Sequence, residues 1–211
     1  MIDVLRTSAA ALAFALAGSA FAAENHHSLA KGDAKAGAEK AAPCAACHGP
    51  DGNSVNPEWP KIAGQSAKYL ETSLQAYKAG ERQNALMAGQ VMNLSDQDMT
   101  NLAAHFAAQT HKPGAGSEDS IEVAEPLYRG GDAERNIPAC LACHGPSGKG
   151  NAAAGWPHIG GQHAAYLATA LKAYRAGERN SSANGQMMTE VAQELTDAEI
   201  EALAGYVAGL Q

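Results

Sequence analysis

Two five-residue runs carry the chemistry of this chain: Cys44-Ala45-Ala46-Cys47-His48 and Cys140-Leu141-Ala142-Cys143-His144. Two cysteines separated by two residues and followed at once by a histidine form the attachment pattern of a c-type haem. The thiols form thioethers to the porphyrin vinyl groups, and the histidine becomes the proximal iron ligand. A bare Cys-x-x-Cys also suits a dithiol redox pair, and two such pairs suit a four-cysteine zinc site. Neither alternative calls for a histidine directly after each pair. The two runs use all four cysteines of the chain. The sequence therefore predicts two covalently bound haem c groups.

An iron held by one histidine needs a second ligand, or it stays open for chemistry. A thioether raises the reduction potential and suits electron transfer. The first half offers Met87, Met92 and Met99, and the second offers Met187 and Met188. The halves can be aligned on Leu94-Ser95-Asp96 and Leu195-Thr196-Asp197. Only Met87 and Met188 then coincide, each seven residues before its leucine. They are the expected sixth ligands, and Met99 is expected in the core.

A ligating imidazole wants an acceptor for its other ring nitrogen. Pro60 and Pro157 recur in matching Trp-Pro-x-Ile-x-Gly turns, where their carbonyls could accept that bond or merely shape a turn. Trp59 and Trp156 are expected to pack on porphyrin or to donate an indole N–H to a propionate. Arg82 and Arg179 recur just before the methionine segments and suit either propionate pairing or a solvated helix end. His26 and His27 are expected in solvent and His105 in packing. His111, His158 and His163 have no histidine at the matching place in the other half.

The elements that must position these groups come in two copies. Beyond the haem runs, Trp59–Gln65 matches Trp156–Gln162, Tyr69 matches Tyr166, and Tyr77–Arg82 matches Tyr174–Arg179. The order is kept with small insertions, so a whole domain is duplicated. Each half reads as helical. A short helix precedes or includes each Cys-x-x-Cys-His. Gln65–Gly80 and Gln162–Gly177 show apolar residues at helical spacing with glycine at the stop, and a last helix starts at Ser95 or Thr196 with a capping-box pattern. The segments between are rich in Gly and Pro and read as haem-wrapping loops. The expected organisation is a signal peptide at 1–22, a first domain at 23–113, a linker at 114–119 and a second domain at 120–211.

The leader has Arg6, the apolar run Ala9–Ala17 and an Ala20-Phe21-Ala22 cleavage pattern, which together predict export to the periplasm. No membrane span is expected after cleavage, with at most a loose association with the membrane. Aromatic residues make up only 5% of the chain, so each small domain has a thin core that a buried porphyrin would complete. Residues 24–113 carry 8 basic and 9 acidic side chains, net −1, whereas residues 114–211 carry 6 and 12, net −6. That balance argues against nucleic acid as a partner. It gives solubility or steers a basic partner to the second half.

The doubled Cys-x-x-Cys-His, the two Trp-Pro-x-Ile-x-Gly-Gln turns and the paired Met-x6-Leu-Ser/Thr-Asp together resemble the cytochrome c4 family, over about Gly32–Gln211. The resemblance implies an all-α fold of two tandem class I cytochrome c domains, each wrapped around one covalently bound haem. It also implies an approximate two-fold axis, with propionates facing each other across the interface. The implied role is a dihaem periplasmic carrier from a quinol-oxidising complex to a terminal oxidase. Subunits that accept electrons from a dehydrogenase, such as a sulfide-oxidising flavocytochrome, share the architecture. A dihaem enzyme would need an open iron site or a free cysteine ligand, so an electron-transfer protein and not an enzyme is expected.

Overall fold

The computed structural model describes residues 32–211; the expected leader, His26 and His27 lie outside the described residues. The first half contains α1 (Ala34–Lys40), α2 (Ala42–His48), α3 (Ala67–Lys78), α4 (Ala85–Val91) and α5 (Asp96–Ala107). The second contains α6 (Ile121–Gly130), α7 (Leu141–His144), α8 (Ala164–Arg175), α9 (Ala183–Ala192) and α10 (Asp197–Ala208). Extended pairing among the described residues is confined to two isolated bridges, Asp132 with Ile137 and Asn151 with Trp156.

Local chemistry sets the helix ends. Ser66 caps α3 by accepting from the Tyr69 N–H. Gly80 and Gly177, at φ +72° and +73°, take the left-handed conformation that ends α3 and α8. Both expected capping boxes form. Ser95 and Asp98 exchange side-chain and backbone bonds at the start of α5, and Thr196 and Glu199 do the same at α10. The methionine segments differ from the expected loops. They are the short helices α4 and α9, started by the side chains of Asn84 and Ser182, which accept from the Met87 and Gly185 N–H groups.

In each half the last helix is the scaffold. α5 packs on α1 and α3, and α10 packs on α6 and α8. The α1–α5 crossing is tight at Gly37, where a Cβ would lie 2.1 Å from the Asn101 carbonyl oxygen. Leu70, Leu102, Ala103 and Phe106 form the small first core, and Met99 is buried beside them. The second core is larger, built on Tyr128, Leu167, Ile200 and Leu203. The Tyr128 hydroxyl donates to the Gly145 carbonyl at 2.7 Å, just past His144.

The segment between the halves is not a free tether. The Ser117 N–H donates to the Gly205 carbonyl at 3.2 Å, and a short 3-10 turn at Glu118–Ser120 leads into α6. Among the described residues no helix is long and apolar enough to cross a membrane.

Candidate functional site

His48 ends α2, which carries both Cys44 and Cys47, and His144 ends α7, which carries Cys143 and is capped at its start by Cys140. Both imidazoles are buried, at 8% and 6% exposure. The Nδ1–H of His48 donates to the Pro60 carbonyl at 2.8 Å, and that of His144 to the Pro157 carbonyl at 3.0 Å. A carbonyl only accepts, so each bond fixes the tautomer and leaves Nε2 as the electron-pair donor for a metal. Burial lowers both imidazole pKa values, which keeps the rings in the neutral, metal-binding form.

The thiols do not resemble an activated redox pair. Burial raises the Cys44 thiol and pushes Cys140 up to about 11, the opposite of a reactive thiolate. Among the described residues no three Cys, His, Asp or Glu side chains converge as a metal cluster, so the pairs do not combine into a zinc site.

Met87 lies on α4 and Met188 on α9, both partly buried. Of the other methionines, Met92 is 67% exposed, Met187 is 43% exposed and Met99 is core. The shared register therefore coincides with a shared environment.

The two halves meet through residues that are equivalent in the repeat, each reaching its counterpart's neighbour. The Arg82 guanidinium donates to the Tyr166 hydroxyl at 3.0 Å and lies 4.5 Å from the Tyr77 ring centroid. Arg179 donates to the Tyr69 hydroxyl at 3.2 Å and lies 4.3 Å from the Tyr174 ring centroid. The two arginines are thus not solvated helix ends. Neither has a carboxylate partner among the described residues. Burial alone would raise the Tyr69 phenol, yet Arg179 and Arg82 outweigh it and bring the phenol down to about 7. Two sheltered cations without a protein counter-ion suit an anionic ligand group, such as a propionate.

The glutamines that close the Trp-Pro turns also cross over. Gln162 accepts from the Lys61 N–H and donates to the Lys61 carbonyl, both at 2.8 Å. Gln65 does the same with the N–H and carbonyl of His158, also at 2.8 Å. Sequence matching paired these glutamines but assigned them no role. It also left His111, His158 and His163 without partners, because it compares equivalent positions and not positions that docking brings together. In the fold, the His111 and His158 rings meet at a tilt of 53° with centroids 4.6 Å apart. His163 Nε2–H reaches back to the Ser54 carbonyl at 2.9 Å. The buried Lys61 ammonium donates to the Lys112 and Gly161 carbonyls. His105 packs edge-on against Phe106, 4.9 Å between centroids. Trp59 and Trp156 are half-buried beside the two proline carbonyls.

The cytochrome c family model matches residues 34–109 and 135–211. Cytochrome c4 of Pseudomonas aeruginosa is 45% identical over 181 residues, which span 86% of this chain and 90% of that protein. The thiosulfate dehydrogenase electron acceptor of Stutzerimonas stutzeri is 37% identical over 171 residues, 79% of this chain and 78% of that protein. The crystal structure of reduced recombinant cytochrome c4 from Pseudomonas stutzeri superposes with a TM-score of 0.83 at 43% identity, covering 85% of this chain and all of that one.

Proposed function

The chain belongs to the cytochrome c4 family and carries two haem c groups, and we propose that it is a periplasmic electron carrier between a quinol-oxidising complex and a terminal oxidase. In this reading Cys44 and Cys47 hold one haem by thioethers, and Cys140 and Cys143 hold the other. His48 with Met87, and His144 with Met188, are the axial pairs. When bound, each haem supplies a one-electron ferric/ferrous couple.

The observation that carries the reading is the doubled site: in both halves a buried histidine gives Nδ1–H to a proline carbonyl, and a partly buried methionine occupies one register. The chain's own work is positional. Pro60 and Pro157 fix the imidazole planes, the two cores and Trp59 and Trp156 keep water away, and Arg82 and Arg179 counter propionate charge. Retaining both axial residues keeps substrates off the metal, which suits a carrier and not an enzyme. Periplasmic placement fits c-type haem attachment, which takes place outside the cytoplasm in bacteria.

The second half, net −6 over residues 114–211, is the side suited to a basic redox partner. A second reading, an electron-accepting subunit for a dehydrogenase, draws support from the relative named as a thiosulfate dehydrogenase electron acceptor.

The test is the far-red methionine–iron charge-transfer band of the oxidised holoprotein, normalised per haem. Two haems with a full band, halved in Met87→Ala and in Met188→Ala, are expected. A missing band with rapid carbon monoxide binding to the reduced protein would overturn the assignment.

A further inference from the structure

Gln162 and Lys61 share more than a contact between domains. The Lys61 N–H and the Pro60 C=O are the two ends of one peptide group. The C=O end accepts from His48 Nδ1 at 2.8 Å, and the N–H end donates to Gln162 Oε1 at 2.8 Å. One peptide plane is thus held between the histidine of the first half and a glutamine of the second. The same holds in reverse. The Pro157–His158 peptide accepts from His144 at 3.0 Å and donates to Gln65 at 2.8 Å.

Each glutamine is committed. Gln162 Oε1 also accepts from the His163 N–H at 3.0 Å and its Nε2 donates to the Lys61 carbonyl; Gln65 Oε1 also accepts from the Ser66 N–H at 2.9 Å and its Nε2 donates to the His158 carbonyl. Flipping either amide would set its NH2 against backbone N–H groups, so the bonding dictates the orientation. Both side chains are buried, at 6% for Gln65 and 4% for Gln162.

We propose that Gln65 and Gln162 are crossed positioning residues: each domain's glutamine sets the orientation and acceptor strength of the peptide that holds the other domain's histidine. A hydrogen bond to the N–H end of an amide polarises its C=O, which strengthens the bond accepted there. A stronger acceptor at Nδ1–H makes the imidazole a more basic ligand, which favours the ferric state. The proposal rests on His48 and His144 being the axial ligands.

The test uses the holoprotein and two near-isosteric variants, Gln162→Met and Gln65→Met. The readouts are the midpoint potential of each haem and the hyperfine-shifted NMR signals of the ferric protein, assigned with Met87→Ala and Met188→Ala as references. Gln162→Met should move only the first domain's haem, toward the ferrous state, by about twofold in the ferric-to-ferrous ratio at fixed solution potential. Gln65→Met should do the same to the second domain's haem alone. Shifts confined to the variant's own domain, equal shifts at both haems, or no shift would overturn the crossed role while a full far-red band left the ligand assignment standing. If the parent protein itself lacks that band, ligand assignment and proposal fall together.

Discussion

The His111–His158 contact makes the domain interface acid-sensitive, and its share can be worked out. Burial first, then His111 and then Lys149, lower the His158 imidazole to about 4 from its usual 6.5. A group whose folded pKa is depressed binds more protons when unfolded. Its contribution to stability is therefore complete above pH 6.5 and is lost as pH falls toward 4. Between about pH 7.5 and pH 5 the linkage integral for such a shift is about 2 kcal/mol, and solvent screening at this half-buried ring cuts it to about 1 kcal/mol. That range avoids the ion-paired carboxylates Asp51, Asp98 and Glu199, whose pKa values are held near 2. The perturbation is His158→Gln, which keeps the backbone bonds to Gln65 and removes only the titrating ring. The assay is thermal unfolding of the oxidised holoprotein at both pH values. The parent should lose about 2–4 °C more than the variant on acidification. His163, also lowered by burial, titrates in both proteins and cancels from the comparison, which reads the His111–His158 pair together. Equal losses would refute the claim that the interface shelters a neutral His158.

Three other outcomes are expected. Gly37→Ala forces α1 off α5, because its Cβ would meet the Asn101 carbonyl at 2.1 Å, and should cost about 1–3 kcal/mol in urea denaturation. Tyr128→Phe removes the 2.7 Å bond to the Gly145 carbonyl and should cost about 1 kcal/mol with both haems retained. Glu190 lies on α9 with exposed Met187 and Glu194 lies just past the end of that helix, both exposed, whereas the matching first-half positions, Gly89 and Asn93, are uncharged. Glu190→Gln with Glu194→Gln should therefore slow low-salt electron exchange with a lysine-rimmed cytochrome c several-fold, a difference that fades toward about 1 M salt. An effect of the same size at every ionic strength would argue against steering.

The helices and caps were legible because their signals are local. Ser95 and Thr196 stand at the starts their sequences announce, and the two cysteine–histidine runs need only five residues to be read. α4 and α9 were hidden because Gly89 and Gly185 weaken the helical pattern, while their real signals are the single caps Asn84 and Ser182. The arginine–tyrosine exchange, the histidine contact and the glutamine clasps were illegible for a different reason. Each joins residues far apart in the chain, from 47 positions for the histidines to 110 for Arg179 and Tyr69, and a repeat alignment aligns Gln65 with Gln162 without revealing that each holds the other's turn.

Those clasps have a consequence for how such a chain could come about. A contact in which position i of one copy meets position j of the other, while j meets i, is an isologous interface, the geometry of a two-fold homodimer. This chain is therefore built like a homodimer whose subunits have been joined end to end. Fusion makes docking intramolecular, so pairing no longer depends on protein concentration. It also releases the copies from identity. In a true homodimer any substitution appears on both sides of the axis, whereas here Lys61 can face Gln162 while its counterpart His158 faces Gln65. The symmetry keeps the two units together, and the covalent link lets them become unequal.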